Sequence, residues 1–308
     1  MSFVVRLCKA LKIKTKHMGI IDRKLTTVYT PTSQPGFLGK GHIARPVIQV
    51  DFSQSDPFIM LMDDMLDKTD HIPVGGPHPH AGFETVSLIL KGEIGEGDHA
   101  MGPGDFEIMT AGSGIVHTEI ISKPTNMRLL QLWLNLPRKD RKALPRVQRL
   151  TAEHVPSASQ NGVYFRVYSG TFAGISSPIK NHTPLTIAEI KMEPHASFSG
   201  TLPADFSAFL YVIDGNVFTG GDHKPLSIDQ VGWLGRYNTS EMSEINFVAG
   251  SNGAHLVMYA AQPQHHEIVS HGPFIAESMD DIRQLYADYR AGKMGHITEV
   301  APEQQFSY

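Results

Sequence analysis

The amino-acid sequence predicts an all-β fold: two similar antiparallel β-barrels in tandem, followed by one C-terminal α-helix. Three observations carry this. Strand-length apolar runs rich in β-branched and aromatic residues, bounded by Gly, Pro or Asp, occupy residues 21–137 and again 162–262. A short module recurs: LILKGEI (88–94) and YVIDGNV (211–217) share an apolar run, a charged residue, a glycine, a polar residue and an apolar one. A convincing helical period occurs only after residue 276.

In chain order, the first half offers HIARPVIQVDF (42–52), FETVSLIL (83–90), DFEIM (105–109) and RLLQLWLNL (128–136) as strands. The polar, proline-bounded PRKDRKALPRVQ (137–148) reads as a linker or lid, and the linker is placed at 138–161. The second half, 162–275, offers VYFRVYSG (163–170), LTIAEIKM (185–192), AFLYVIDGNVF (208–218) and AHLVMYAA (254–261). In the C-terminal region, 276–308, Ser278 followed three residues later by Asp281 forms a capping-box pattern. Ile282, Leu285, Tyr286 and Tyr289 then keep a helical period, and Gly292 can end the helix. The last dozen residues are polar and expected to fray.

Composition bounds the function classes. With 308 residues, 41% hydrophobic and 19% charged, the chain reads as an ordinary soluble protein of two domains. A formal charge of -4 gives no electrostatic reason for direct nucleic-acid binding. Gly 28 and Pro 20 supply the turns that many strands need. The single cysteine, Cys8, allows no intrachain disulfide, so a cytoplasmic location is expected. Residues 1–20 mix apolar and basic side chains without a secretory signal's long apolar core. They read as a flexible basic extension, and both Met1 and Met18 are candidate starts. No run approaches the roughly 20 apolar residues of a membrane helix, so no membrane contact is expected.

The chemistry concentrates in PHPHAGFETV (77–86). If that stretch is extended, His78, His80, Gly82 and Glu84 share one face. Pro79 favours extension by disfavouring the α region at His78. Further on, in TAGSGIVHTEI (110–120), His117 and Glu119 are again two apart. Two strands can therefore supply three imidazoles and one carboxylate, with Glu84 and Glu119 equal candidates by parity. Such a donor set suits a redox-capable divalent ion, Fe(II), Mn(II), Ni(II) or Cu(II), with positions left for substrate or oxygen; it also admits zinc.

These residues resemble the pirin family of the cupin superfamily. The resemblance rests on His78-Pro79-His80, Gly82-Phe83-Glu84-Thr85-Val86, Thr110-Ala111-Gly112, Gly114-Ile115-Val116-His117, Gln131-Leu132-Trp133-Leu134-Asn135-Leu136-Pro137 and His271-Gly272-Pro273-Phe274. It runs from about Ile21 to Gly295. It implies a bicupin of two face-to-face barrels, with one metal, usually iron, in the N-terminal cupin (21–137). The ligands carried over are His78, His80, His117 and Glu119. Glu84 is the alternative ligand, or else holds a ligand imidazole or a strand partner. The metal site of the C-terminal cupin is expected vacant, because Thr201 and Pro203 stand where the histidines would be.

The chain also departs from the family. Ala81 replaces the arginine usual after His-Pro-His, and Ser113 replaces the arginine between the glycines. Glu107-Ile108 stand for Gln-Trp, and the hairpin from Gly92 to Pro103 is short. Losing two cations should disfavour an anionic substrate and stabilise the higher oxidation state of the metal. Through bacterial members, the resemblance implies an Fe(II)-dependent dioxygenase of the quercetin 2,3-dioxygenase type. Its substrates would be a flavonol or related enol and O2, and Glu119 would act as base. The alternative is a non-enzymatic, redox-sensitive regulator that binds a transcription factor or metabolic enzyme. A purely structural metal ranks third.

Overall fold

The computed structural model describes residues 21–95, 97 and 100–308. The expected N-terminal extension lies outside them. The fold is mostly β, and the principal strands sort into two large sheets. Eight form one, in the order Gln305–Ser307, Arg146–Leu150, Phe106–Thr110, Phe83–Lys91, Thr125–Asn135, Phe58–Lys68, His42–Pro46 and Gln34–Pro35. Ten form the other, built around Val163–Ser169, Leu185–Met192, Met242–Ala261, Ser207–Thr219 and Val231–Leu234. Among the described residues, no helix is long and apolar enough to cross a membrane.

RLLQLWLNL shows why these runs are apolar on both faces. Leu130, Leu132 and Leu134 join the core shared with the second half, alongside Phe209, Tyr211, Trp233 and Tyr259. Met127 and Leu129, on the opposite parity, pack inside the first half with Leu66, Ile89 and Ile94. Aromatic contacts tie the halves together. Phe58 meets Phe209 edge-on at 5.2 Å, and Phe106 stacks on Tyr168 at 5.5 Å. A separate core fills the second half, including Phe165, Leu210, Val212 and Phe247.

The repeated module holds in three dimensions. Gly92 and Gly215 both take positive φ, 73° and 69°, which a side chain would resist. Three residues before each glycine, the backbone makes the same pair of bonds. Ile89 accepts from Gly104 N (2.7 Å) and donates to Asp105 O (3.1 Å); Val212 accepts from Asp229 N (2.9 Å) and donates to Gln230 O (3.1 Å).

The strand map changes the expected boundaries. Within 138–161, Arg146–Leu150 is a strand of the first sheet, paired with Phe106–Thr110, and Ser157–Gln160 pairs with Val163–Ser169. Val147 and Leu150 are buried, so this stretch is no solvated linker. Each end of the described chain joins the other half's sheet. Leu25–Tyr29 pairs with Val231–Leu234, while Gln305–Ser307 runs parallel to Arg146–Leu150. The tail expected to fray is therefore pinned by a ladder. The helix runs Met279–Arg290, capped by Ser278, whose hydroxyl accepts from Asp281 N. It buries Ile282, while Tyr289 stays exposed.

Candidate metal centre

His78–His80 pairs antiparallel with Ile115–His117, placing His78 opposite His117 and His80 opposite Ile115. This ribbon is separate from both large sheets. Gly82 divides it from Phe83–Lys91. Its φ is +87°, and a Cβ there would lie 1.9 Å from Ile275 O. The turn resets the alternation that the sequence suggested. Phe83 packs with His80 and Trp133, whereas Glu84 takes the parity of Val86 and Leu88, which face the second half.

Glu84 therefore has other company. Its carboxylate accepts from Thr110 Oγ1 at 2.7 Å and lies 3.8 Å from Arg146. Burial pushes its pKa up, against the Thr110 bond and the charges of His182 and Arg146. Neither close partner, Thr110 or Arg146, is an imidazole.

The three histidines do converge. One ring nitrogen from each of His78, His80 and His117 lies within 4.8 Å of the others. His78 Nδ1 donates to Gly76 O at 2.9 Å, which leaves Nε2 as a lone-pair donor 2.8 Å from His117 Nε2. His80 packs edge-on against Trp133 at 5.2 Å, and its Nδ1 is buried without a partner. Burial, then neighbouring His78, lowers the His80 pKa to about 3. Burial, then His80, His78 and His296, holds His117 well below its ordinary value. Three imidazoles with converging ring nitrogens, two of them kept neutral by burial, are a donor set that a divalent cation accepts, so the residues present fit a metal.

Glu119 stands beside this group rather than within it. The chain leaves regular strand at His117, and Glu119 N donates to Gly75 O at 3.1 Å. The carboxylate accepts from Gln131 Nε2 at 3.0 Å and lines the same cavity as His78. Burial, then Glu107 and Asp64 against the Gln131 bond, raises its pKa to about 7. The cavity is about 20 Å³, walled by Phe37, Leu38, Ile94, Met127 and Leu129.

Several neighbours were not assigned a role from sequence. Gln131 follows from strand parity, because it shares a face with Met127 and Leu129. Asp64 lies opposite Leu129 and accepts from His42 Nε2 at 2.9 Å. His296, which bonds Thr118, and His266, which bonds the buried Arg141, have no local sequence signal. Ala81 is fully buried among Phe274, Ala276, Ile282 and Met294, so apolar side chains fill its surroundings; Ser113 is exposed.

Comparison with known proteins agrees over both halves. The Pirin family model matches residues 42–134, and the model for the pirin C-terminal cupin domain matches 187–295. Human pirin is 33% identical over 285 residues, covering 89% of this chain and 94% of the human protein. The crystal structure of GK1651 from Geobacillus kaustophilus superposes with a TM-score of 0.71 at 30% identity, covering 80% of this chain and 99% of that one. Quercetin 2,3-dioxygenase from Acinetobacter baumannii superposes with a TM-score of 0.76 at 23% identity, covering 88% and 98%; at that identity it speaks for the fold. With a family match on each barrel and a third of residues shared along nearly its whole length, the chain belongs to the pirin family of bicupin proteins.

Proposed function

We propose that this pirin-family bicupin is an oxygenase of the quercetin 2,3-dioxygenase type, acting on a small molecule with an ionisable enol. The observation that carries the reading is the pairing of three converging imidazoles with an adjacent carboxyl group raised to about 7. His78, His80 and His117 would hold the metal, taken as Fe(II), with Glu119 as the fourth ligand or as the base. A bound metal would supply Lewis-acid and redox chemistry, drawing an enol oxygen and O2 to one point.

The chain's own groups do the rest. Near neutral pH the Glu119 carboxylate can accept the enol proton, and Gln131 Nε2–H holds it in orientation. Ile94, Met127 and Leu129 keep water from the reacting atoms. With Ala81 and Ser113 in place of arginines and Glu107 near Glu119, the surroundings favour neutral over anionic substrates. The test is loss of flavonol absorbance by iron-loaded protein, in air and under anaerobic conditions. Oxygen-dependent turnover that falls at least about tenfold in Glu119→Gln is expected. Its absence in fully loaded protein refutes the oxygenase.

One observation favours the regulatory reading. A cavity of about 20 Å³ holds little more than a water molecule, whereas small-molecule sites commonly span roughly 300–1,000 Å³. A flavonol would need the cavity to widen. A redox-sensitive partner of a transcription factor or metabolic enzyme needs no such opening. Pull-downs with reduced, oxidised and metal-free protein separate the readings: partners that change with metal state support regulation.

A further inference from the structure

The ribbon that carries the imidazoles lies outside both large sheets, and the C-terminal segment covers it at two places. Ala81 bridges Phe274 in parallel, with Ile275 N donating to Ala81 O at 3.0 Å. Val116 bridges His296 in parallel, with Val116 N donating to Gly295 O at 2.9 Å. Helix Met279–Arg290 spans the interval between these contacts, and its Ile282 packs with Phe274, Met294 and Ala81. Gly114 admits Met294 closely; a Cβ there would lie 2.9 Å from that side chain.

His296 is held at both ring nitrogens. Thr298 N donates to Nδ1 at 3.3 Å, so Nδ1 carries a lone pair and the neutral ring keeps its proton on Nε2. Nε2–H therefore donates to Thr118 Oγ1, 3.0 Å away. Thr118 separates His117 from Glu119, just where the regular strand ends. Between the strand end at His117 and the backbone bond from Glu119 N to Gly75 O, this side-chain bond is a further hold on the chain at Thr118.

We propose that His296 is a positioning residue of the metal centre: by donating to Thr118 it fixes the chain between His117 and Glu119, and so the directions in which both present their donor atoms. The inference rests on reading the imidazole cluster as a metal site. It assigns the C-terminal segment, some 180 residues away in sequence, a part in metal binding beyond that of a covering flap.

The experiment is a titration of the metal-free full chain with Co(II), reading affinity and the visible d–d spectrum. Thr118→Val and His296→Ala should each weaken binding by roughly tenfold or more and alter the bands, as loss of an outer partner does. The double variant should be no worse than either single change, because both remove one bond. His296→Gln, which keeps an N–H donor of similar reach, should recover affinity and spectrum. Thr118→Val keeps the side-chain shape and carries the test if His296→Ala misfolds. Wild-type affinity and spectrum in Thr118→Val would overturn the proposal. An additive double variant, or a glutamine variant no better than alanine, would do the same. A wild-type chain that fails to bind Co(II) would instead overturn the metal-site reading itself, and this inference with it.

Discussion

The two halves share a hairpin module but treat corresponding positions in opposite ways. Counted from Gly92 and Gly215, His78 and His80 correspond to Thr201 and Pro203. In the first half these residues lie on a ribbon outside the large sheets and converge with His117. In the second half they lie within Ser197–Pro203, a strand laddered along Met242–Ala261, with Thr201 opposite Glu244 and Pro203 opposite Met242. There a cation comes from the chain itself. Arg23, fully buried, donates to Ser243 Oγ (2.7 Å), to Phe206 O (3.0 Å) and to Pro203 O. Burial lowers its pKa to about 10, which still leaves it charged at neutral pH. Buried acceptors need a hydrogen-bond donor, and here a guanidinium supplies several at once. The second half receives a guanidinium from a segment that begins in the N-terminal region, and the first half brings together three imidazoles that could hold a metal.

That contrast can be tested in descending order of effect. His117→Ala should lower metal affinity by about a thousandfold, beyond the 10–100-fold that outer partners contribute. Thr201→Ala should leave it unchanged, and equal losses at the two positions would abolish the distinction; isothermal titration reads both. Arg23→Met should cost about 3 kcal/mol in urea unfolding, because it removes three hydrogen bonds made by one buried charged group, while metal uptake persists. A loss below about 0.5 kcal/mol would show that the second half needs no internal cation.

A smaller effect concerns pH. Glu189, in the second half, is pushed up by burial, but His255 at 2.7 Å and Lys191 outweigh this and hold its pKa near 2. A depressed carboxylate pKa means stabilisation that is complete above the unfolded value of 4.5 and fades as pH falls toward 2. Allowing for the partly exposed Lys191, Glu189→Gln should cost about 2 kcal/mol at pH 7 and almost nothing at pH 2. Unfolding curves across that range check it. A pH-independent cost would assign the residue a packing role instead.

Much was legible in the sequence. Local rules suffice for the apolar runs, the Gly92 and Gly215 turns and the Ser278 cap, because strand alternation, positive φ and capping each depend on a few adjacent residues. The same holds for the imidazoles: the spacing of two puts His78 and His80 on one face of their strand. Parity failed at Glu84, where one glycine in the left-handed region reversed the face, and a spacing rule cannot see that turn.

What only the tertiary structure decided is which distant segments meet. Sequence order put 21–29 with the first barrel and 305–307 in a loose tail, yet each completes the opposite sheet. It left 146–150 in a linker, and it gave no reason to bring His296 to Thr118 or Arg23 to Pro203. The physical reason is the same in each case. A side chain's pattern tells whether it wants burial or a bonding partner, but the partner is chosen by what the folded backbone brings within about 3 Å.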